Sequence, residues 1–249
     1  MSVDLERIDR TLVIRMNRPH KRNAIDAEMT AGLDRALNDF EDDPDLWVAV
    51  LTGTDTVFSA GTDLAAGSGA PTERGGPYGV VRRERRKPLI AAVEGRALGG
   101  GMEIVLACDL VVAAHNSSFG LPEVSRGVIA TCGGLFRARR ALPLNIAKEL
   151  LLTGEPLTAD RAWRLGFVNQ LADPGEVVDT AVELAARICR NAPVSVRESL
   201  TALEQLNSAD DAEAWRVTEQ AMAATLSSDD TKEGIAAFLE RREPRWTGK

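Results

Sequence analysis

Apolar and polar positions alternate from Val3 to Met16, and the pattern predicts two short strands around Asp9-Arg10-Thr11. From Asp26 to about Asp43 the period changes. Met29, Leu33, Ala36, Leu37 and Phe40 recur at helical spacing, with Asp26 placed to cap the helix and Pro44 to end it. Leu46–Thr52, Pro88–Val93 and Asp109–Ala114 are nearly unbroken apolar runs, the mark of strands buried on both faces of a parallel sheet. The 88–93 strand is expected to pass through Gly99-Gly100-Gly101 into an apolar helix, and Thr131-Cys132-Gly133-Gly134 opens another that runs to Ala141. Strand–turn–helix units thus recur about every 40–50 residues, which predicts an α/β fold with parallel strands. Beyond Leu144 the spacing is mostly helical, with helices expected over 145–152, 159–165, 175–190, 194–206, 211–227 and 231–241 and a short strand at Val168–Leu171. Asn191-Ala192-Pro193 punctuates this part and sets an expected division into a core, 1–192, and a helical region, 193–249.

Composition narrows the picture by exclusion. The formal net charge of −7 argues against nucleic acid as a partner. No run approaches the ~20 apolar residues of a membrane span, so no membrane partner is expected. The N-terminal residues lack a signal-peptide profile, which with the scattered cysteines points to the cytoplasm. Cys108, Cys132 and Cys189 have no paired spacing, so neither a disulfide framework nor a metal site is expected. Only His20 and His115 are available as histidines, and no Gly-x-Ser-x-Gly or His-Glu-x-x-His stretch occurs. Any chemistry then falls to carboxylates and backbone amides.

The stretch from Ala97 to Ala107 holds the best candidates. Its glycines let another molecule approach the backbone, and the first N–H groups of the following helix have no intrahelical partner. Such a turn can hold a developing oxyanion. Glu103 lies among apolar neighbours, either solvated on a half-exposed helix or held in a cleft for proton transfer. Glu123 repeats the anomaly in Phe119–Val124. Two basic stretches stand out. The turn Asn17–Asn23 carries Arg18, His20, Lys21 and Arg22, and Arg82–Lys87 carries five basic residues. Each is either a solvated surface, helical in the second case, or local positive charge for phosphates. Residues 65–79, with five glycines and two prolines, read as a mobile loop.

Taken together, Asn17-Arg18-Pro19 with Asn23-Ala24, Phe58–Leu64, Gly95–Asp109, Phe119–Gly134 and Glu233–Arg242 resemble the enoyl-CoA hydratase/isomerase family, the crotonase-like proteins, over nearly the whole chain. The resemblance implies a spiral of repeated ββα turns, a helical C-terminal region that builds trimers or hexamers, an acyl-CoA thioester substrate, and no cofactor or metal. It implies backbone N–H groups of Thr62 and Gly100 gripping the thioester oxygen, and Glu103 and Glu123 as the catalytic glutamates. Ala60, Asp63, Leu64, Ala65, Gly99 and Thr131 would line the acyl and pantetheine path, with Lys21 and Arg22 near the nucleotide phosphates. Thr62 stands where alanine is common, Ala65 where lysine is frequent, and Ala130-Thr131 where a Pro-Gly pair is common.

The expected reaction is hydration of a trans-2-enoyl-CoA or the reverse dehydration. An isomerase or specialised dehydratase of the same family, and a non-catalytic acyl-CoA binder, are the alternatives. A dinucleotide-binding domain fits poorly, because Gly99-x-Gly101-x-x-Ile104 lacks the third glycine. The apolar residues of 211–241, among them Trp215, Val217, Leu226, Phe238 and Leu239, exceed what a short helix pair hides on itself, and point to an oligomer or to packing on the core.

Overall fold

A computed structural model describes residues 2–208 and 210–247. The chain opens with an antiparallel hairpin, β1 (Val3–Ile8) and β2 (Thr11–Met16), turned at Asp9. Helix α1 (Ala27–Asp42) follows, and the Asp26 side chain caps it by accepting from Met29 N. Its buried face carries Met29, Leu33, Leu37 and Phe40. Then come β3 (Val48–Thr52), β4 (Val57–Ser59), β5 (Leu89–Val93), β6 (Arg96–Leu98), α2 (Gly100–Val105), β7 (Leu110–Ala114) and β8 (Ser118–Gly120). Helices α3 (Gly134–Ala141) and α4 (Leu144–Thr153) lead to β9 (Leu157–Thr158), α5 (Ala159–Arg164), β10 (Gln170–Ala172) and α6 (Val177–Cys189). The chain ends in α7 (Pro193–Asn207), α8 (Asp211–Leu226) and α9 (Asp229–Glu240).

Two sheets organise the core. The larger runs β1-β2-β3-β5-β7-β10 and the smaller β4-β6-β8-β9. Each turn of the chain gives one strand to each sheet, as β3 then β4, β5 then β6, and β7 then β8. Neighbours from β2 to β10 in the large sheet, and from β4 to β8 in the small one, are parallel. This is the spiral of repeated turns that the resemblance implies. The parallel strands of the large sheet are buried end to end in β3 and β5, as their apolar runs predict.

Three readings of the sequence change. The glycine turn follows β6, not the strand at 88–93. Glu94-Gly95 turns the chain into this strand of only three residues, too short for any periodicity to register. Gly95 is obligatory there, since at φ +64 a Cβ would lie 2.1 Å from the Thr56 carbonyl oxygen. The 65–79 stretch is tied down, not loose: Thr72 Oγ1 donates to Asp34 at 2.7 Å, Thr30 Oγ1 to the Ser68 carbonyl at 2.7 Å, and Tyr78 is buried. The basic run 82–87 is neither helical nor wholly solvated. Arg83, with its side chain 1% exposed, pairs with Asp34, and Arg85 donates to Asp109 through both terminal nitrogens, Nη1 and Nη2. Lys87 Nζ donates to the Phe40 and Asp43 carbonyls, and Arg82 lies over the Trp215 ring. These cations are consumed by the fold.

The helical region also packs on the core. Trp215 meets Phe136 edge-on, and α9 lies so close to residues 126–127 that a Cβ on Gly234 would sit 2.3 Å from the Arg126 carbonyl oxygen. Thr231 Oγ1 donates to the Gly127 carbonyl at 2.5 Å. Large apolar side chains nevertheless stay exposed on α7, α8 and α9: Leu203, Leu206, Val217, Leu226, Phe238 and Leu239.

Candidate active site

The small sheet explains why distant motifs meet. Ser59 of β4 is level with Ala97 of β6, which is level with Phe119 of β8. Parallel strands release their turns at the same end, about 4.8 Å apart. Thr62, Gly100 and Glu123 all lie three or four residues past that common level, so one cleft collects them.

The turn after β4 is fixed from outside the cleft. Asn23 Nδ2 donates to the Val57 and Phe58 carbonyls at 3.0 and 3.1 Å, and its carbonyl accepts from Ser59 Oγ at 2.8 Å. Ile25 N donates to the Gly61 carbonyl, and Asp63 N donates to the Ile25 carbonyl. In such a parallel bridge the residue between points the other way, so the Thr62 N–H faces into the cleft. Gly61, at φ +87, brings this turn against its neighbour. A Cβ there would be 2.8 Å from the Leu98 carbonyl oxygen and 2.9 Å from Gly100 N. Gly100 is the first residue of α2, where an N–H has no intrahelical acceptor. Two backbone donors thus sit side by side.

Arg18 belongs to this scaffold. It donates to Asp63 Oδ2 at 2.8 Å and to the Ala24 carbonyl at 2.9 Å, and pairs with Asp26 at 3.1 Å. The guanidinium, helped by the Ala65 and Ala66 N–H groups, holds the Asp63 carboxyl below its usual range. Arg18 is therefore engaged by the fold, and the Asp63 side chain is turned into its own loop. Lys21 and Arg22 remain exposed on a 3-10 turn, Pro19–Lys21, and its C-cap.

Glu103, expected either solvated or in a cleft, is in the cleft at 2% exposure. Its Oε1 accepts from Cys132 N at 2.7 Å and Gly134 N at 2.9 Å. Burial pushes it up to about 7 against these two hydrogen bonds and the Arg137 charge. Gly134 is needed, because a Cβ would come within 3.0 Å of Oε1. Glu123 lies on a 3-10 segment, Pro122–Arg126, and reaches over Gly99, where a Cβ would be 3.4 Å from its Oε1. Its Oε2 is buried without a hydrogen-bond partner. Burial, then the charge of Glu103, pushes it up to about 8. One carboxyl is thus supplied with donors that favour its ionised form, and the other is left to keep its proton.

Thr131 borders the loop that holds Glu103, while Ala60, Leu64 and Ala65 are exposed at the rim of the first turn. Tyr78 also joins the site, a residue that the motifs of the sequence do not single out. Its hydroxyl lies 2.8 Å from Thr62 Oγ1, and a Cβ on Gly100 would be 2.5 Å from it. The only pointer was that it is the chain's single tyrosine, inside a stretch rich in glycine. Among the described residues no group of three or more His, Cys, Asp or Glu is placed to hold a metal. A cavity of about 720 Å3 lies beneath α7, lined by the Arg85–Asp109 and Arg140–Asp211 pairs, and includes neither glutamate.

Fold and site define a spiral α/β protein with paired backbone donors and paired carboxyls in one cleft. Residues 7–249 match the enoyl-CoA hydratase/isomerase family, and the chain belongs to that family. It is 40% identical to a mevalonyl-coenzyme A hydratase of Aspergillus fumigatus over 245 residues, 94% of this chain and 90% of that protein. The solved structure of EchA1_1 from Mycobacterium paratuberculosis has a TM-score of 0.93 at 43% identity, covering 100% of this chain and 99% of that one. A carnitinyl-CoA hydratase from Mycobacterium avium has the same TM-score and coverage at 40% identity.

Proposed function

We propose that this protein adds water across the double bond of a trans-2-enoyl-CoA thioester, or catalyses the reverse dehydration. The observation that carries the reading is the carboxyl pair, split by environment, beside the donor pair. The thioester oxygen would accept from Thr62 N and Gly100 N. As charge moves onto it, each donor contributes about 3–4 kcal/mol of stabilisation. Glu103, ionised, takes a proton from water as the oxygen bonds to C3. Glu123, protonated, gives its proton to C2. Water is thereby added, one proton has moved from Glu123 to Glu103, and exchange with solvent restores the pair. A shift of the double bond alone needs no water base. A binding protein needs neither glutamate, so the pair speaks for hydration over both alternatives.

The remaining expectations belong to the same reading. Lys21 and Arg22 take the nucleotide phosphates of CoA, and the exposed Ala60, Leu64 and Ala65 border the pantetheine path. Residues 1–192 form the catalytic core and 193–249 an oligomerising region, whose exposed apolar side chains on α7 to α9 favour a homotrimer or homohexamer. Light scattering reads this directly, as a mass of three or six times 26.8 kDa and not one. No cofactor beyond the substrate's own CoA is called for, and the cytoplasm is the expected compartment. Among the described residues no helix is long and apolar enough to cross a membrane. The reaction is tested by offering a short panel of trans-2-enoyl-CoA thioesters and following loss of the conjugated double bond. Turnover of none of them would reject it.

A further inference from the structure

Tyr78 is used by no step of the proposed reaction, yet the fold goes to some length to place it. Its backbone is left-handed, at φ 59 and ψ 4, a conformation rare for a bulky side chain. Such strain persists only where the surroundings over-determine it. They do so here. Tyr78 is 5% exposed, and at the following Gly79 a Cβ would lie 2.7 Å from both the Thr30 carbonyl oxygen and Asp34 N of α1. The result is a phenol between the two donor turns and the loop that holds Glu103. Its hydroxyl meets Thr62 Oγ1, crowds Gly100 and faces Cys132, whose N–H holds Glu103.

We propose that Tyr78 is a specificity-determining residue whose hydroxyl binds an uncharged oxygen on the acyl group beside the reacting double bond, so that a short hydroxyl-bearing enoyl-CoA is preferred to its alkyl counterpart. The inference rests on the hydratase reading of the site.

A count of protons supports it. The Thr62 and Tyr78 hydroxyls bring two, and their mutual bond uses one. Either hydroxyl can donate in that bond; when Thr62 does, the Tyr78 proton is left near the Cys132 thiol, a weak acceptor that a substrate oxygen would replace with gain. Burial and the nearby Glu103 hold the Tyr78 proton well above its usual range, so the phenol is a donor at every working pH. A carboxylate on the substrate would face two acids already pushed up by burial, which favours a neutral oxygen. A methyl group in its place leaves the proton on sulfur and forgoes one hydrogen bond.

The test compares kcat/KM for 4-hydroxy-trans-but-2-enoyl-CoA and trans-but-2-enoyl-CoA in the full chain and in Tyr78→Phe, which keeps the ring and its packing. The wild type is expected to prefer the hydroxylated substrate by roughly tenfold, the size of one net hydrogen bond, and the variant to lose that preference. An equal preference in both proteins overturns the inference and leaves the hydratase reading standing. A wild type that favours the 4-carboxy analogue overturns the neutral-oxygen assignment. If the wild type hydrates no enoyl-CoA at all, the underlying reading fails and takes this one with it.

Discussion

Glu123→Gln separates chemistry from packing, because glutamine keeps the shape of the side chain over Gly99 and lacks its transferable proton. As proton donor to C2, Glu123 should be worth about 10²–10⁴ in kcat, with little change in thioester binding. The same substitution has a second, opposite effect on stability. Burial, then the charge of Glu103, pushes the Glu123 carboxyl from the ordinary 4.5 up to about 8. Between those values the folded chain keeps a proton that the unfolded chain has released, so the wild type loses stability as pH rises, by about 1.4 kcal/mol per unit. By pH 8 the loss reaches about 4 kcal/mol. Below pH 4 both states hold the proton and the effect vanishes. Glutamine has no such dependence. The variant should therefore match the wild type near pH 4 and melt roughly 10 °C higher near pH 8. Thermal unfolding across pH, paired with steady-state kinetics, reads both effects. An equal melting difference at both ends would mean that the carboxyl is not desolvated by the fold. Unchanged kcat would remove Glu123 from the reaction.

The proposed reaction uses Glu103 ionised and Glu123 protonated, so kcat/KM should follow a bell with limbs near 7 and 8, the acid limb disappearing in whatever activity Glu103→Gln retains. A flat profile over that range would contradict the split of the pair. Gly61→Ala should lower kcat by about 10² or more, since its Cβ would force the Thr62 turn away from Gly100 N; wild-type turnover would show that the two donors need not be adjacent. Lys21→Ala with Arg22→Ala should raise KM several-fold, with kcat nearly unchanged and the effect fading at high salt. A pantetheine thioester without the nucleotide should be handled as by wild type, and equal losses on both substrates would point to folding or assembly.

The parts of the fold legible in the sequence are those with local causes. Asp26 caps α1 through its own third neighbour, and β3 and β5 announce themselves as apolar runs because both faces are covered. Glu103 and Glu123 are visible as carboxyls among apolar residues, and the fold brings them close enough for the charge of one to act on the other. What escaped depends on distant partners. Arg83 and Arg85 look like solvent-exposed charge until Asp34 and Asp109 arrive from 49 and 24 residues away. Strands β6 and β8 hold three residues each, below any period, and are defined only by their parallel neighbours. Tyr78 enters the site through a left-handed backbone that α1 imposes on a glycine-rich stretch, and no local pattern encodes that.

Addition of water across C2 and C3, with a proton delivered to C2, is read by turning over trans-but-2-enoyl-CoA in D₂O enriched in H₂¹⁸O and analysing the product by mass spectrometry. One ¹⁸O at C3 and one deuterium at C2, with the thioester intact, is the predicted result. Deuterium without ¹⁸O and a moved double bond, or released CoA, would contradict it.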